Sequence, residues 1–423
     1  MKSKKTLAVI ASVVIFLVGA INAYSDTVGK NRSEYIGEFI SNSPEYKSIN
    51  GNIQKNILTA YSAENRLTDI ERQIEDSERQ LASYREQYSK SGKQSERESI
   101  QLNIDIQIIS GFDLQVTKAQ YQTQYELQKL YQEYSPLIQK QQEDILKYQV
   151  IQKLNRIKLY EAQINHLEAV AELKEKEITV EMSRLQAGYS RQADVDVLVA
   201  ESATINASKM SAEIELDTII FELKKNIIAD TIEFEHDYSI TEFSAEYDKY
   251  ISEFNEQGYY TSYTQAEVKI YEGYLKELSD ILIELKTNNP EKAERDFPVN
   301  GDISDYYNRT ISNIESETAY YTNEIELKNL SLKQGQQELE VYVYGLCGQY
   351  TALLSQLEAK ELEISAAQAL RDISSALFEQ GRVIEINVIA ADVQVKSLEF
   401  ERLQLMIQLD EIVYLLENCI SNK

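Results

Sequence analysis

The strongest constraint in this sequence is an internal repeat at a spacing of 193 residues, centred on two glycines. Residues 185–195 surround Gly188, and residues 378–388 surround Gly381 in the same frame. The match continues downstream of both glycines without a gap. A self-match of this kind predicts that the fold contains one supersecondary unit twice.

Upstream of each glycine, the sequence has a seven-residue period. A sustained apolar repeat of seven is typical of helices that pack side by side with left-handed coiling. Glycine adopts the positive φ that helix C-termini commonly need, so each glycine is well placed to reverse the chain. Each copy is therefore predicted to be a long antiparallel helical hairpin with a glycine at its tip. The residues that recur every seven positions form one seam in each copy. The first seam is Ile157, Ile164, Ala171, Ile178 and Leu185, and the second is Tyr350, Leu357, Ile364, Arg371 and Phe378.

Few residues interrupt this pattern, because the 423 residues include only 4 Pro and 14 Gly. This composition favours long helices with few turns. The helical pattern covers residues 117–187, about 100 Å at 1.5 Å per residue, and again residues 304–380. Ser43 followed by Pro44 predicts the start of another helix. The predicted fold class is mainly all-α, with two tandem long antiparallel hairpins.

One stretch departs from the helical pattern. Residues 102–108 alternate apolar and polar side chains, and residues 112–116 continue the alternation. Strict alternation is typical of a half-buried strand. We therefore expect at most a small β element, at the end of the hairpins far from the glycines.

The N-terminus carries three lysines within residues 1–5, followed by an almost uninterrupted apolar run over residues 6–20. This order is typical of a secretory signal. The predicted organisation is a signal peptide at 1–23, a first hairpin repeat at 24–228, a linker at 229–253 and a second hairpin repeat at 254–423. The signal predicts an exported protein, located in the cell envelope or on the outer face of a single membrane.

Charge and composition disfavour several classes of function. The formal net charge of −26 would repel a phosphate backbone, which argues against nucleic acid as a partner. Two cysteines without a CxxC pair and two histidines give little material for a metal site. We find no nucleophile motif and no phosphate loop. The sequence therefore predicts no enzyme activity, no catalytic residue, no metal and no cofactor.

The predicted signal peptide, the duplicated hairpins and the two glycine-centred segments resemble the TolC-type outer membrane efflux proteins. In that family, each hairpin tip carries an apolar residue three positions before a glycine and an Asp-Val pair six and seven positions after it. The resemblance covers residues 43–417, and the weak strand signal indicates a divergent member with a reduced or missing β-barrel. The matching residues are Leu185, Gly188, Asp194 and Val195, then Phe378, Gly381, Asn387 and Val388.

The resemblance implies a homotrimer that forms a hollow helical tunnel in an efflux pump or a type I secretion system, located in the outer membrane or the periplasm. It also implies that the tips dock on a membrane-fusion adaptor of an ABC- or RND-type exporter. The implied aperture residues are Asp194 and Asn387. The implied docking residues are Leu185, Gly188, Val195, Phe378, Gly381 and Val388.

A second hypothesis is an extracytoplasmic coiled-coil scaffold without transport activity. The tunnel predicts a hollow trimer whose tip glycines bind an adaptor. The scaffold predicts a solid bundle or a monomer.

Overall fold

The computed structural model describes residues 30–229, 231–236, 238, 243–257, 259–290 and 296–420. The predicted signal peptide lies outside these residues, as does part of the predicted linker. No described residue forms a β-strand, and the mainly all-α prediction is confirmed. The helices described are α1 (Arg32–Asn42), α2 (Pro44–Lys90), α3 (Gln94–Gln186), α4 (Gln192–Leu223), α5 (Tyr247–Gln257), α6 (Tyr259–Thr287), α7 (Gly301–Glu379) and α8 (Glu385–Glu417).

Two very long helices organise the fold. Helix α3 has 93 residues and α7 has 79, which correspond to about 140 Å and 120 Å. In the half that contains the glycine turns, the helices lie side by side in the order α4, α3, α8, α7. In the far half the order is α2, α3, α6, α7. The chain is thus one layer of helices built from two tandem hairpins, as predicted.

The alternating pattern at residues 102–116 does not form a strand, because all of it lies within α3. Ile109, Phe112 and Ala119 are buried together against residues of α6 and α7, and their spacing of three and seven residues is helical. Helix α3 also packs against α2 on another side. A helix with neighbours on two sides needs a broad apolar surface, and over a short stretch such a surface resembles alternation.

The ends of the helices follow the local sequence. Helix α2 begins at Pro44, and Ser43 Oγ accepts hydrogen bonds from the backbone N–H groups of Glu45 at 3.2 Å and Tyr46 at 3.4 Å. Such a cap satisfies N–H groups that have no partner within the helix. In the middle of the chain, α5 begins inside the predicted linker.

A set of buried polar side chains lies where the two hairpins meet. Arg32 of α1 donates to both carboxylate oxygens of Asp410 in α8, at 3.1 Å and 2.7 Å. His236, from the segment between the repeats, contacts Arg32 and lies 3.1 Å from Asp410 Oδ1. Only 8% of Arg32 is exposed. This bidentate ion pair joins residues that are 378 positions apart in the sequence.

The same group reaches α3 through Asn155, which is fully buried. Its Nδ2 donates to Glu411 Oε1 at 3.1 Å, and its Oδ1 accepts from the Tyr238 hydroxyl at 3.0 Å. We call Arg32, Asn155, His236, Tyr238, Asp410 and Glu411 the junction cluster. It connects α1, the segment between the repeats, α3 and α8.

Replacing Asp410 by alanine is expected to destabilise the protein by about 3 kcal/mol, because the buried guanidinium of Arg32 loses its paired carboxylate. The matched control is Asp217→Ala, since Asp217 occupies the equivalent position of the first repeat and is exposed. The control should change stability by less than about 0.5 kcal/mol. Urea unfolding at neutral pH measures both, and equal losses would contradict the prediction.

The contribution of Asp410 to the free energy of unfolding should also depend on pH. Burial alone would raise the pKa of Asp410, but hydrogen bonds from His236 and Arg32 outweigh burial and lower the pKa to about 2. The ordinary value is 3.8. The native state therefore binds the proton less readily than the unfolded chain does. This stabilisation is complete above about pH 4 and is lost as the pH falls towards 2.

Candidate functional site

The first hairpin tip is a helix C-terminus closed by Gly188. Its φ is +78°, and its N–H donates to the Leu185 carbonyl at 3.0 Å. The Tyr189 N–H donates to the Arg184 carbonyl at 2.8 Å. These two bonds define a Schellman motif, which satisfies the last carbonyls of α3 and reverses the chain.

The second tip repeats this geometry 193 residues later. Gly381 has a φ of +67°, and its N–H donates to the Phe378 carbonyl at 2.8 Å. The Arg382 N–H donates to the Leu377 carbonyl at 2.9 Å. Among the described residues, Gly188 and Gly381 are the two glycines with positive φ. The sequence repeat is therefore also a repeat of backbone conformation.

The space over both glycines is open. A Cβ atom built on Gly188 or on Gly381 would meet no heavy atom of the described chain within 4 Å, apart from their immediate neighbours. Packing inside the chain therefore does not require glycine at either place. The positive φ alone favours it, and the backbone of each tip is accessible to a partner.

The other predicted docking residues differ in accessibility. Leu185 and Val388 are half-buried, and Phe378 is 45% exposed. Val195 is only 5% exposed, so its side chain offers almost no surface in the isolated chain.

Two exposed apolar side chains at the tips were not predicted from the sequence. Tyr189 is 80% exposed and Ile384 is 59% exposed. They follow Gly188 and Gly381 by one and three positions. The sequence does contain a signal for their exposure, because each is an apolar residue within a turn, where no second helix covers it.

Asp194 and Asn387 stand at equivalent places, near the start of the helix that leaves each tip. The Asp194 N–H donates to the Arg191 carbonyl at 3.0 Å, and the Asn387 N–H donates to the Ile384 carbonyl at 3.0 Å. The carboxylate of Asp194 also accepts from Arg191, at 3.0 Å from Nη2 and at 3.1 Å from the backbone N–H. Asp194 is thus a helix-capping residue in the isolated chain.

This capping interaction keeps the Asp194 carboxylate at the first tip ionised. Hydrogen bonds from the Arg191 side chain, and then from its backbone N–H, lower the pKa of Asp194. Asp194 is therefore ionised at neutral pH. At the second tip, Asn387 carries no charge, but Glu385 lies 3.3 Å from Lys176 of α3. This exposed ion pair links the two hairpins near their tips and is weakened by salt.

Two other features were sought in the part of the chain that is described. No group of three His, Cys, Asp or Glu side chains is placed there to hold a metal ion. Among the same residues, no helix combines the length and the apolar character needed to cross a membrane. The two tips are the candidate site because they repeat one open glycine turn at equivalent positions.

Solved structures resemble this chain over most of its length at low identity. A membrane protein from Pseudomonas aeruginosa is 8% identical and matches with a TM-score of 0.50, covering 96% of this chain and 100% of that chain. The chain has the TolC-type helical fold. In this TolC-type fold, the glycine turns stand at the free ends of the hairpins.

Two named channels also match. The outer-membrane channel OprN is 10% identical with a TM-score of 0.48 and covers 72% of each chain. CusC is 11% identical with a TM-score of 0.45 and covers 96% of each chain. No family model and no curated protein matches this sequence.

Proposed function

We propose that this protein is the trimeric tunnel component of an efflux pump or a type I secretion system, and that its tips dock on a membrane-fusion adaptor. One observation carries the proposal. The two hairpins end in the same open glycine turn at equivalent positions, so one subunit presents two copies of a single backbone surface to a partner. The likeness in fold to a membrane protein supports a place in the cell envelope.

An apolar seam along α7 supports assembly with further copies. Its six side chains are 58–74% exposed although they recur with the seven-residue spacing of a coiled coil. In a coiled coil, residues with this spacing are buried against another helix. The seam consists of Tyr320, Leu327, Leu330, Val341, Tyr344 and Leu362.

Helix α4 carries a similar seam on the opposite edge of the layer. Met210, Ile214 and Phe221 are 60–66% exposed and recur at helical spacing. Helices α4 and α7 are the two edges of the tip half, where the α7 seam consists of Val341, Tyr344 and Leu362. Contact between the α4 edge of one copy and this part of the α7 edge of the next is heterologous. Such contacts form a closed ring when the rotation between copies closes. A ring of single helical layers encloses a lumen.

A photo-reactive amino acid at Tyr189 or Ile384 tests the docking proposal directly. Both tip positions should cross-link in cells to an adaptor of the exporter with which the protein works. The matched control is the same amino acid at Lys93, which is exposed in the turn at the other end of the first hairpin. Adducts of equal yield from Lys93, or none from either tip, would contradict docking at the tips.

A further inference from the structure

We propose that the junction cluster is a register lock between the two hairpins. It fixes the axial position of α3, from the first hairpin, against α8, from the second. The two glycine tips are thereby held at a defined height relative to each other. This role belongs to the folded subunit and holds whether or not the protein transports anything.

The need for a lock follows from the topology. Within each hairpin, a short turn sets the register, because residues 187–191 join α3 to α4 and residues 380–384 join α7 to α8. No short turn joins α3 to α8, although they pack side by side. Helices with a seven-residue apolar repeat can pack equally well after a slip of one repeat, about 10 Å. Apolar packing alone therefore leaves this register weakly defined.

The hydrogen bonds of the junction cluster define the axial register of α3 against α8. Asn155 is fully buried and uses both ends of its amide, on Glu411 and Tyr238. Arg32 is almost as buried and binds both oxygens of Asp410. A slip of one helical turn, about 5.4 Å, would separate these groups and leave them buried without partners. A buried polar residue that selects one register is a well-attested device in coiled coils.

The lock is not part of the duplicated unit. Gly348 stands where the repeat places the equivalent of Asn155, and Asp217, the equivalent of Asp410, is exposed. The cluster therefore acts at the boundary between α3 and α8, which is where the duplication supplies no turn. This placement is what a register determinant needs.

An apolar replacement of the cluster separates register from stability. The test variant replaces all six residues of the cluster, so that no member is left without its partner. It carries Arg32→Met, Asn155→Leu, His236→Leu, Tyr238→Phe, Asp410→Leu and Glu411→Leu. Replacing a buried ionic group by apolar side chains of similar volume is often neutral or stabilising. We therefore expect the melting temperature to stay within a few degrees of the parent protein. The register is expected to change.

Chemical cross-linking reports the register. Cys347 and Cys419 are first replaced by alanine. Lys176→Cys with Glu385→Cys is the native pair, because the ends of the two parent side chains lie 3.3 Å apart. A short bifunctional thiol reagent joins the two cysteines, since they are shorter than the lysine and glutamate that they replace and a direct disulfide needs close Cα atoms. Ser183→Cys with Glu385→Cys tests a slip of seven residues. In the parent protein the native pair should cross-link fastest. In the apolar variant we expect its yield to fall about fivefold and the slipped pair to appear.

The proposal is overturned if the apolar variant is folded and keeps the native cross-link yield. If that variant does not fold, the milder variant Asn155→Leu with Tyr238→Phe decides, because it leaves the pair of Arg32 and Asp410 intact. It should lower the native yield at least about twofold, and an unchanged yield would overturn the lock. Neither readout uses export, so failure of the lock and failure of the proposed function are distinguishable.

Discussion

Leucine at both Gly188 and Gly381 is expected to abolish export while the protein stays folded and assembled. A non-glycine residue at positive φ costs about 1–2 kcal/mol, and no neighbouring atom would clash with the new Cβ atoms. The strain falls on two exposed turns far from the buried cores, so the melting temperature should fall by only a few degrees. The leucine side chains would instead fill the open space over the tips and block close approach of a partner. Export of cargo and thermal unfolding measure the two effects.

Two controls isolate the docking effect. Alanine at both glycines carries the same backbone strain with little bulk, so most export should remain. Leucine at Gly92, in the turn at the opposite end of the first hairpin, also meets no atom within 4 Å and should leave export unchanged. If the double leucine variant exports normally, the tips are not the docking surface.

Glutamate at Val341, Tyr344 and Leu362 is expected to convert the assembly to monomers. Each of these side chains is more than 70% exposed in the single chain, so the monomer should lose little stability. In an assembled ring, burying each one would contribute about 1.5–3 kcal/mol. Losing three such contributions, at every interface, weakens association by more than a thousandfold. Sedimentation at fixed protein concentration measures the result.

The control for this variant adds the same charge to α7 away from the seam. Glutamate at Thr322, Gln336 and Gln356 places three new carboxylates at exposed positions outside the seven-residue pattern. The control should assemble as the parent protein does. Dissociation of both variants would show that added negative charge, on a chain of net charge −26, is responsible rather than the seam.

The features predicted well from the sequence are those set by local chemistry. The repeat at 193 residues predicted two hairpins, and both helices that enter the tips end at equivalent residues, Gln186 and Glu379. Glycine turns and proline-first helices depend on a few adjacent residues, so spacing alone is informative. The same reasoning located the start of α2 at Pro44.

The features missed from the sequence depend on packing. The alternating pattern at residues 102–116 predicts a strand, but these residues lie within α3. This helix packs against several others, so its apolar surface is broad enough to resemble alternation. Val195 is buried, which its position in the tip motif does not reveal. The junction cluster joins Arg32 to Asp410 across almost the whole chain, and no local pattern connects them.

The docking and aperture residues illustrate a third situation. Gly188 and Gly381 were predicted as tips from the repeat, and the structure gives them the same turn. Their contact with an adaptor, and the aperture role of Asp194 and Asn387, remain predictions that the tip and cross-linking experiments address.

The most direct test of the central claim is the mass of the protein without residues 1–23 in solution, measured together with the shape of the particle. A tunnel component predicts three copies of the chain in a ring with an open axis, visible as a hollow end-on view by electron microscopy. A monomer at all accessible concentrations, or a particle with a solid core, would contradict the tunnel and favour a coiled-coil scaffold.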